Sequence, residues 1–445
     1  MYPKPPVART GKSGWLGHRV ARLKSLAVVG AVTLGFAGAA FAAAAPASAD
    51  PAFSFVGVGS DTTQNVMDLF AGQTSGGIIG SYDAVNPVTQ TGAEIITPAV
   101  AGGGGAQQNC SYTRPNGSGQ GFKALDASFN PSTTLAQLAV APQAGCIQFS
   151  RSSGGPGSGT SAATGPGVID PAGGLVYVPF GLDAVTDSTG PTTAISETTK
   201  CVAATTGCTN VVNGIGTITF TTTPTNITNA GQFTLANLQT LYGTCANVTV
   251  GGVTYNPNTA TAGQTQINLY APQNGSGTLS FWESKMGVTA VQSCWHQTVV
   301  TGPAVGISVE EHDGAALASD PNGLAPISIA KWLAMSNGVV TPDVRHGDIL
   351  EPIGGVQPVV NGSLNTAFPI VREVYNVVAF NQVTAGASNN PVLTGLVAGT
   401  GSALCQSAFT IQEEGFGLLP SASTPDQCGS TANSLRVQET NNGPS

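Results

Sequence analysis

The chain predicts an open α/β sheet whose strands end in ligand-type turns. Three observations predict it. Phe53-Ser54-Phe55-Val56-Gly57-Val58 reads as a strand that runs through Gly59-Ser60-Asp61-Thr62-Thr63 into a helix with Val66, Met67, Leu69 and Phe70 at helical spacing. Gln266-Ile267-Asn268-Leu269-Tyr270 feeds the turn Asn274-Gly275-Ser276-Gly277-Thr278, which opens a second helix that Gly287 is placed to close. Cys146-Ile147-Gln148-Phe149 is a strand that delivers Ser150-Arg151-Ser152-Ser153 at its carboxyl end. Such units with turns at strand carboxyl ends mark an open α/β sheet.

The first 49 residues read as an export signal. Lys4, Arg9, Lys12, Arg19, Arg22 and Lys24 precede an apolar run from Leu26 to about Ala45, and Ala47-Ser48-Ala49 fits the small-residue cleavage rule. A membrane anchor is the alternative, disfavoured by the Ala/Gly-rich run and the cleavage site behind it. No twin arginine and no cysteine near that site point to the general secretion route without lipid modification. The expected product is secreted or retained at the cell wall. It carries nine basic and 23 acidic residues, a net charge of −14. That balance excludes nucleic acid as a partner, because nucleic-acid binding needs basic patches. An anion site on such a chain has to work locally, through amides, hydroxyls and one or two arginines.

Eight cysteines behind an export signal predict four disulfides. Sequence leaves the pairing open. Neighbour pairing (110–146, 201–208, 245–294, 405–428) is expected because each pair lies in one local region. Zinc is the rival reading, but no CxxC occurs and His18, His296, His312 and His346 are scattered.

Further along, Asn116–Gly121 opens a helix with Phe122 and Leu125 inward, and Leu135–Val140 reads as part of a helix-to-strand step. Residues 72–109 and 154–167 read as Gly-rich loops. Leu175-Val176-Tyr177-Val178-Pro179-Phe180 is a buried strand, and the Thr-rich stretch 187–232 contains a half-exposed strand at Thr217–Thr221. Leu235, Leu238 and Leu241 mark a helix, and Gly251-Gly252 a hairpin. Ile327–Ala330, Phe368–Val371 and Val374–Val378 read as late strands, and 405–428 as helix plus loop.

The four turns 59–63, 116–121, 150–154 and 274–278 each suit an anion. The unpaired amides of a helix start point outward, and the helix dipole adds positive charge there. One such turn is equally well a capped helix start without a ligand. Four together suggest one anion held by converging loops.

In their order these turns resemble the solute-binding proteins of phosphate ABC transporters. Gly59–Thr63, Gly117-Ser118-Gly119-Gln120-Gly121, Phe149–Ser153 and Gly275–Thr278 stand where that family has its four binding loops. Leu235–Gly243, His312-Asp313-Gly314 and Phe368-Pro369-Ile370 add to the likeness. The resemblance implies a two-lobe, periplasmic-binding-protein-like (type II) α/β fold with Thr/Gly-rich β insertions and a ligand cleft between lobes. Lobe 1 would comprise 50–180 and 328–445, and lobe 2 181–327, with chain crossings near Tyr177–Leu182 and Pro326–Ala330. It further implies a monomer that captures phosphate or a related oxyanion for an ABC permease, with no cofactor, metal or catalytic residue.

Carried over residue by residue, the implied ligand set is Thr62, Thr63, Ser118, Gly119, Arg151, Ser152, Ser153, Ser276, Gly277 and Thr278, with Asp61 and Arg114 as secondary candidates. Three family charges are missing: Pro272 and Asn274 replace an Arg and an Asp, and Ser153 replaces a proton-accepting Asp. Arg151 or Arg114 is expected to restore the cation and Asp61 the acceptor. If Asp61 points away, a fully ionised oxyanion such as sulfate is expected instead. Glu310-Glu311-His312-Asp313 is expected to be a solvated run leading into a helix. Enzyme readings lack a G-x-S-x-G elbow and a Gly-Lys-Ser/Thr loop. The alternatives are a cell-surface structural or adhesive protein that keeps the fold without transport, and a secreted phosphoester hydrolase.

Overall fold

The computed structural model describes residues 53–73, 78–85, 95–96, 99–101, 107–129, 145–156, 174–202, 207–212, 215–386, 388–420 and 427–437. The expected export signal, the step at 135–140 and most of the loop 154–167 lie outside them. Strand β1 (Phe55–Gly59) is buried along its whole length and leads into helix α1 (Gln64–Gln73), which packs Val66, Met67 and Phe70 inward. Next come β2 (Ile79–Ser81), α2 (Ser118–Phe129), β3 (Phe149–Ser152) and the 15-residue β4 (Leu175–Thr189). Then follow β5 (Asn268–Tyr270), α3 (Gly277–Met286), β6 (Trp295–His296), β7 (Gly323–Ser328), α4 (Ile329–Ser336) and β8 (Val371–Ala379).

These strands form one hydrogen-bonded path, β6-β5-β7-β4-β8-β3-β1-β2. Its two ends are parallel blocks: β1 pairs in parallel with β2 and β3, and β5 with β6 and β7. The middle is antiparallel, with β4 between β7 and β8, and β8 in turn beside β3. A parallel block needs both faces covered, so each end carries its own core. Val56, Met67, Phe70, Leu125, Phe149, Val176 and Val377 belong to one buried cluster. Val185, Leu241, Leu269, Trp282, Leu324, Ile329 and Ile370 belong to the other. Two α/β lobes result.

The chain passes between clusters on β4, between Phe180 and Ala184, and at Ile329 and Ala330. It passes again at Ile370–Val374, because β8 runs antiparallel to β4 and so enters from the second lobe. Ile353, Leu364, Phe368 and Ile370 therefore pack in the second cluster, and 328–445 does not sit wholly with the first.

Two local expectations are corrected. Ile329 and Ala330 are helical, because the Ser328 side chain accepts from Lys331 N and caps α4. The stretch 72–109 carries β2 and short paired segments, Ile95–Ile96 with Tyr112–Thr113 and Ala99–Ala101 with Gln107–Asn109. The Thr-rich stretch forms a separate three-stranded sheet from Ser196–Val202, Thr209–Val212 and Ile215–Thr221. Gly251 and Gly252, at φ 59° and 80°, turn the hairpin between Val248–Val250 and Val253–Asn256. All four neighbour disulfides are formed.

Candidate functional site

The turns at the starts of α1, α2 and α3 and at the end of β3 meet in one place. Its hub is the first turn of α3. Ser276 caps that helix, accepting from Thr278 N (3.0 Å) and Leu279 N (3.2 Å), and Gly287 closes it in the left-handed region. Gly119 N, at the start of α2, donates to Gly275 O across 3.1 Å. Ser153 N donates to Ser118 Oγ (3.0 Å), and the two hydroxyls lie 3.2 Å apart. Both crowd Gly277: a Cβ there would stand 2.4 Å from Ser118 Oγ and 2.7 Å from Ser153 Oγ. No larger residue fits without moving them.

The remaining hydroxyls converge on a carboxylate. Thr62 Oγ1 and Thr278 Oγ1 each donate to Glu311 Oε1 at 3.0 Å, and Ser276 Oγ donates to Oε2 at 3.1 Å. Thr62 comes from the first lobe, Ser276 and Thr278 from the second. Glu311 is fully buried and Glu310, His312 and Asp313 are half-buried, so the run 310–313 is not a freely solvated one. Local charge density tells nothing about depth, and here the run is folded inward, with Ser328 N bonded to Glu311 O. Burial, followed by the Asp61 charge, pushes the Glu311 carboxyl up to about 7.

A guanidinium stands behind these hydroxyls. Arg372 Nη2 donates to Thr278 Oγ1 (2.8 Å) and to Asp183 Oδ2 (2.8 Å), and Nε donates to the same carboxylate oxygen at 3.2 Å. Asp183 also accepts from Ser328 Oγ (2.9 Å) and Ala330 N (3.0 Å). Phe281 of α3 backs the cation, with Arg372 Cζ 5.4 Å from the ring centroid. Among the described residues Arg372 Nη1 and Thr63 Oγ1, both buried, have no hydrogen-bond partner.

Four candidates lie elsewhere or are engaged otherwise. Arg151 is fully buried, but it donates to the carbonyls of Gly59, Ser60 and Tyr82 and to Ser81 Oγ, so it pins the first loop instead of facing a ligand. Arg114 Nη1 donates to Asp83 O at 2.7 Å. Ser152 Oγ closes its own turn on Gly154 O at 2.7 Å. Asp61 folds back, with Oδ1 accepting from Thr62 N at 2.7 Å. Its Oδ2 lies 3.0 Å from His312 Nδ1, aligned too poorly for a directed hydrogen bond, so the attraction is ionic. Burial works against the Asp61 charge, yet His312 and Lys331 hold its carboxyl well below the usual carboxylate range. The guanidinium that reaches the converging hydroxyls is thus Arg372 and the carboxylate is Glu311, while Arg151, Arg114 and Asp61 are engaged in their own loops.

Asp61, Glu310 and His312 bring three metal-capable atoms within 4.8 Å of one another. Lys331, whose Nζ reaches Asn65 Oδ1, adds a positive charge near Asp61. A resident cation disfavours a metal there, and the Asp61–His312 pair accounts for the cluster. Sequence reading missed Glu311, Arg372, Asp183, His312 and Lys331. Two signals were available: the charged run Glu310–Asp313, and Arg372 as the lone cation in the run Val371–Ala379.

No protein-family model matches the chain, and no curated protein matches it. Solved structures do. A provisionally assigned phosphate ABC transporter substrate-binding protein with bound phosphate, from Clostridium perfringens, is 12% identical. It matches with TM-score 0.42 over 82% of this chain and 99% of its own. An ABC-type phosphate transport receptor from Vibrio cholerae is 11% identical, with TM-score 0.40 and the same coverages. A phosphate-binding protein from Stenotrophomonas maltophilia is 13% identical, with TM-score 0.37 over 85% of this chain and 96% of its own. The strand order and the two cores define the fold class as two-lobe α/β, with one mixed sheet path running through both lobes. No described helix is long and apolar enough to cross a membrane.

Proposed function

We propose that this protein is an extracellular solute-binding protein that captures inorganic phosphate or a similar tetrahedral oxyanion by lobe closure, performs no chemistry, and delivers its ligand to an ABC-type permease. The observation that carries the reading is the convergence of Thr62, Ser276 and Thr278 hydroxyls, from both lobes, on one buried carboxylate. A set of hydroxyl donors that grips both oxygens of a buried carboxyl group suits the oxygens of an oxyanion. Arg372 supports that charge through Thr278, while the hydroxyls of Ser118, Ser153 and Thr63 add further potential donors. Closure then follows from tighter binding to the closed state than to the open one.

A second reading is favoured by the same carboxylate. A cleft filled by its own side chain suits a cell-surface structural protein that kept the fold without transport. Calorimetric titration of the purified protein with phosphate and with sulfate separates the two. Saturable heat with phosphate is expected, reduced at least tenfold in affinity by Ser276→Ala with Thr278→Ala. Absence of heat with either anion rejects the first reading.

A further inference from the structure

We propose that Glu311 is a built-in ligand of the cleft: its carboxylate takes the place of the bound oxyanion and holds the lobes shut, and an incoming anion binds by displacing it. The inference rests on the oxyanion reading for its second half only.

Proton counting carries the argument. A hydroxyl has one proton to donate. Ser276 Oγ already accepts from two amides and Thr278 Oγ1 already accepts from Arg372, so the single proton of each is committed to Glu311. Thr62 commits its own to the same carboxylate from the other lobe. An external anion can engage these three donors only after Glu311 leaves.

The carboxylate is therefore a tethered competitor. It lowers the apparent affinity for a free anion by the fraction of molecules in which it occupies the site. One like charge stands by to favour its departure, Asp61, while His312 pulls the other way. This makes Glu311 the residue that sets the affinity threshold of the site.

The test uses Glu311→Ala and Glu311→Asp, whose shorter carboxylate cannot span to the three hydroxyls and which serves should the alanine variant fail to fold. Small-angle scattering in anion-free buffer is expected to show a larger radius of gyration for both variants than for the wild-type protein. Adding phosphate is expected to contract the variants and leave the wild type unchanged. Calorimetry is expected to show phosphate binding about tenfold tighter, or more, in the variants. An unchanged radius of gyration in both variants overturns the proposal, as does weaker phosphate binding than in the wild type. Opening of the variants without phosphate heat in any protein supports the built-in ligand and rejects the proposed transport function.

Discussion

Arg372 stands directly opposite Asp183 in the antiparallel register of β8 and β4, with Nη2 2.8 Å from Asp183 Oδ2 and both side chains buried. The pair sits where the two lobes share strands, and it passes its charge through Thr278 toward Glu311. Removing the cation leaves Asp183 buried with only Ser328 Oγ and Ala330 N as donors. Arg372→Gln is expected to cost about 3–5 kcal/mol, the range for breaking a buried ion pair on one side. Urea unfolding measures it. A loss below 1 kcal/mol would show that the pair is not coupled to the fold.

Asp187 predicts a pH dependence of the opposite sense to ordinary acid denaturation. It lies on β4, accepts from Tyr242 Oη at 2.9 Å, and has Glu351 as a charged neighbour. Burial, the largest influence, raises its carboxyl from 3.8 to about 8. The folded state therefore binds a proton that the unfolded state releases above pH 4. Stability from this group is complete below pH 4 and is lost as pH rises toward about 8. Asp187→Asn keeps the neutral hydrogen-bonding shape at every pH. Its melting temperature is expected to match the wild type near pH 4 and exceed it at pH 8.5; a constant offset across that range refutes the assignment.

The strand–turn–helix units at Phe53–Phe70 and Gln266–Met286 were legible because each is local: apolar period, turn and cap lie within about twenty residues. Neighbour pairing of the cysteines succeeded for the same reason. What sequence could not supply is the partner at long range. Arg372 and Asp183 lie 189 positions apart, and Thr62 and Glu311 249. The acidic run at 310–313 reads as solvated until its backbone is known to bond Ser328. For Arg151, whether a strand-end guanidinium faces a ligand or its own loop carbonyls depends on the neighbouring strands.

The disulfide Cys245–Cys294 ties the chain just after the helical segment Gln239–Gly243 to the start of β6, closing a separation of 49 residues within the second lobe. Cys294 is buried in that lobe's core, next to Trp295. Replacing both cysteines by serine is expected to lower stability by about 2–4 kcal/mol, mainly by freeing the unfolded chain. Guanidinium unfolding of the double variant measures it, and no loss would contradict a structural role.

Glycines in the converging loops give the last prediction, because their tolerance differs sharply over three positions. Gly117 has φ 91°, and a Cβ there would stand 2.4 Å from Gly275 O, a backbone atom of the opposite lobe that cannot rotate away. At Gly119 the nearest atom is Gly275 O at 3.6 Å, ordinary contact, and the residue is helical. Gly119→Ala is expected to be neutral or stabilising by a few tenths of a kcal/mol, since alanine favours the helix. Gly117→Ala is expected to cost about 1–3 kcal/mol from backbone strain and to prise the two loops apart. Scattering should then show an expanded Gly117→Ala protein beside a compact Gly119→Ala one. Equal radii and equal melting temperatures would mean that the contact between the 117–119 and 275–277 loops does not hold the lobes together.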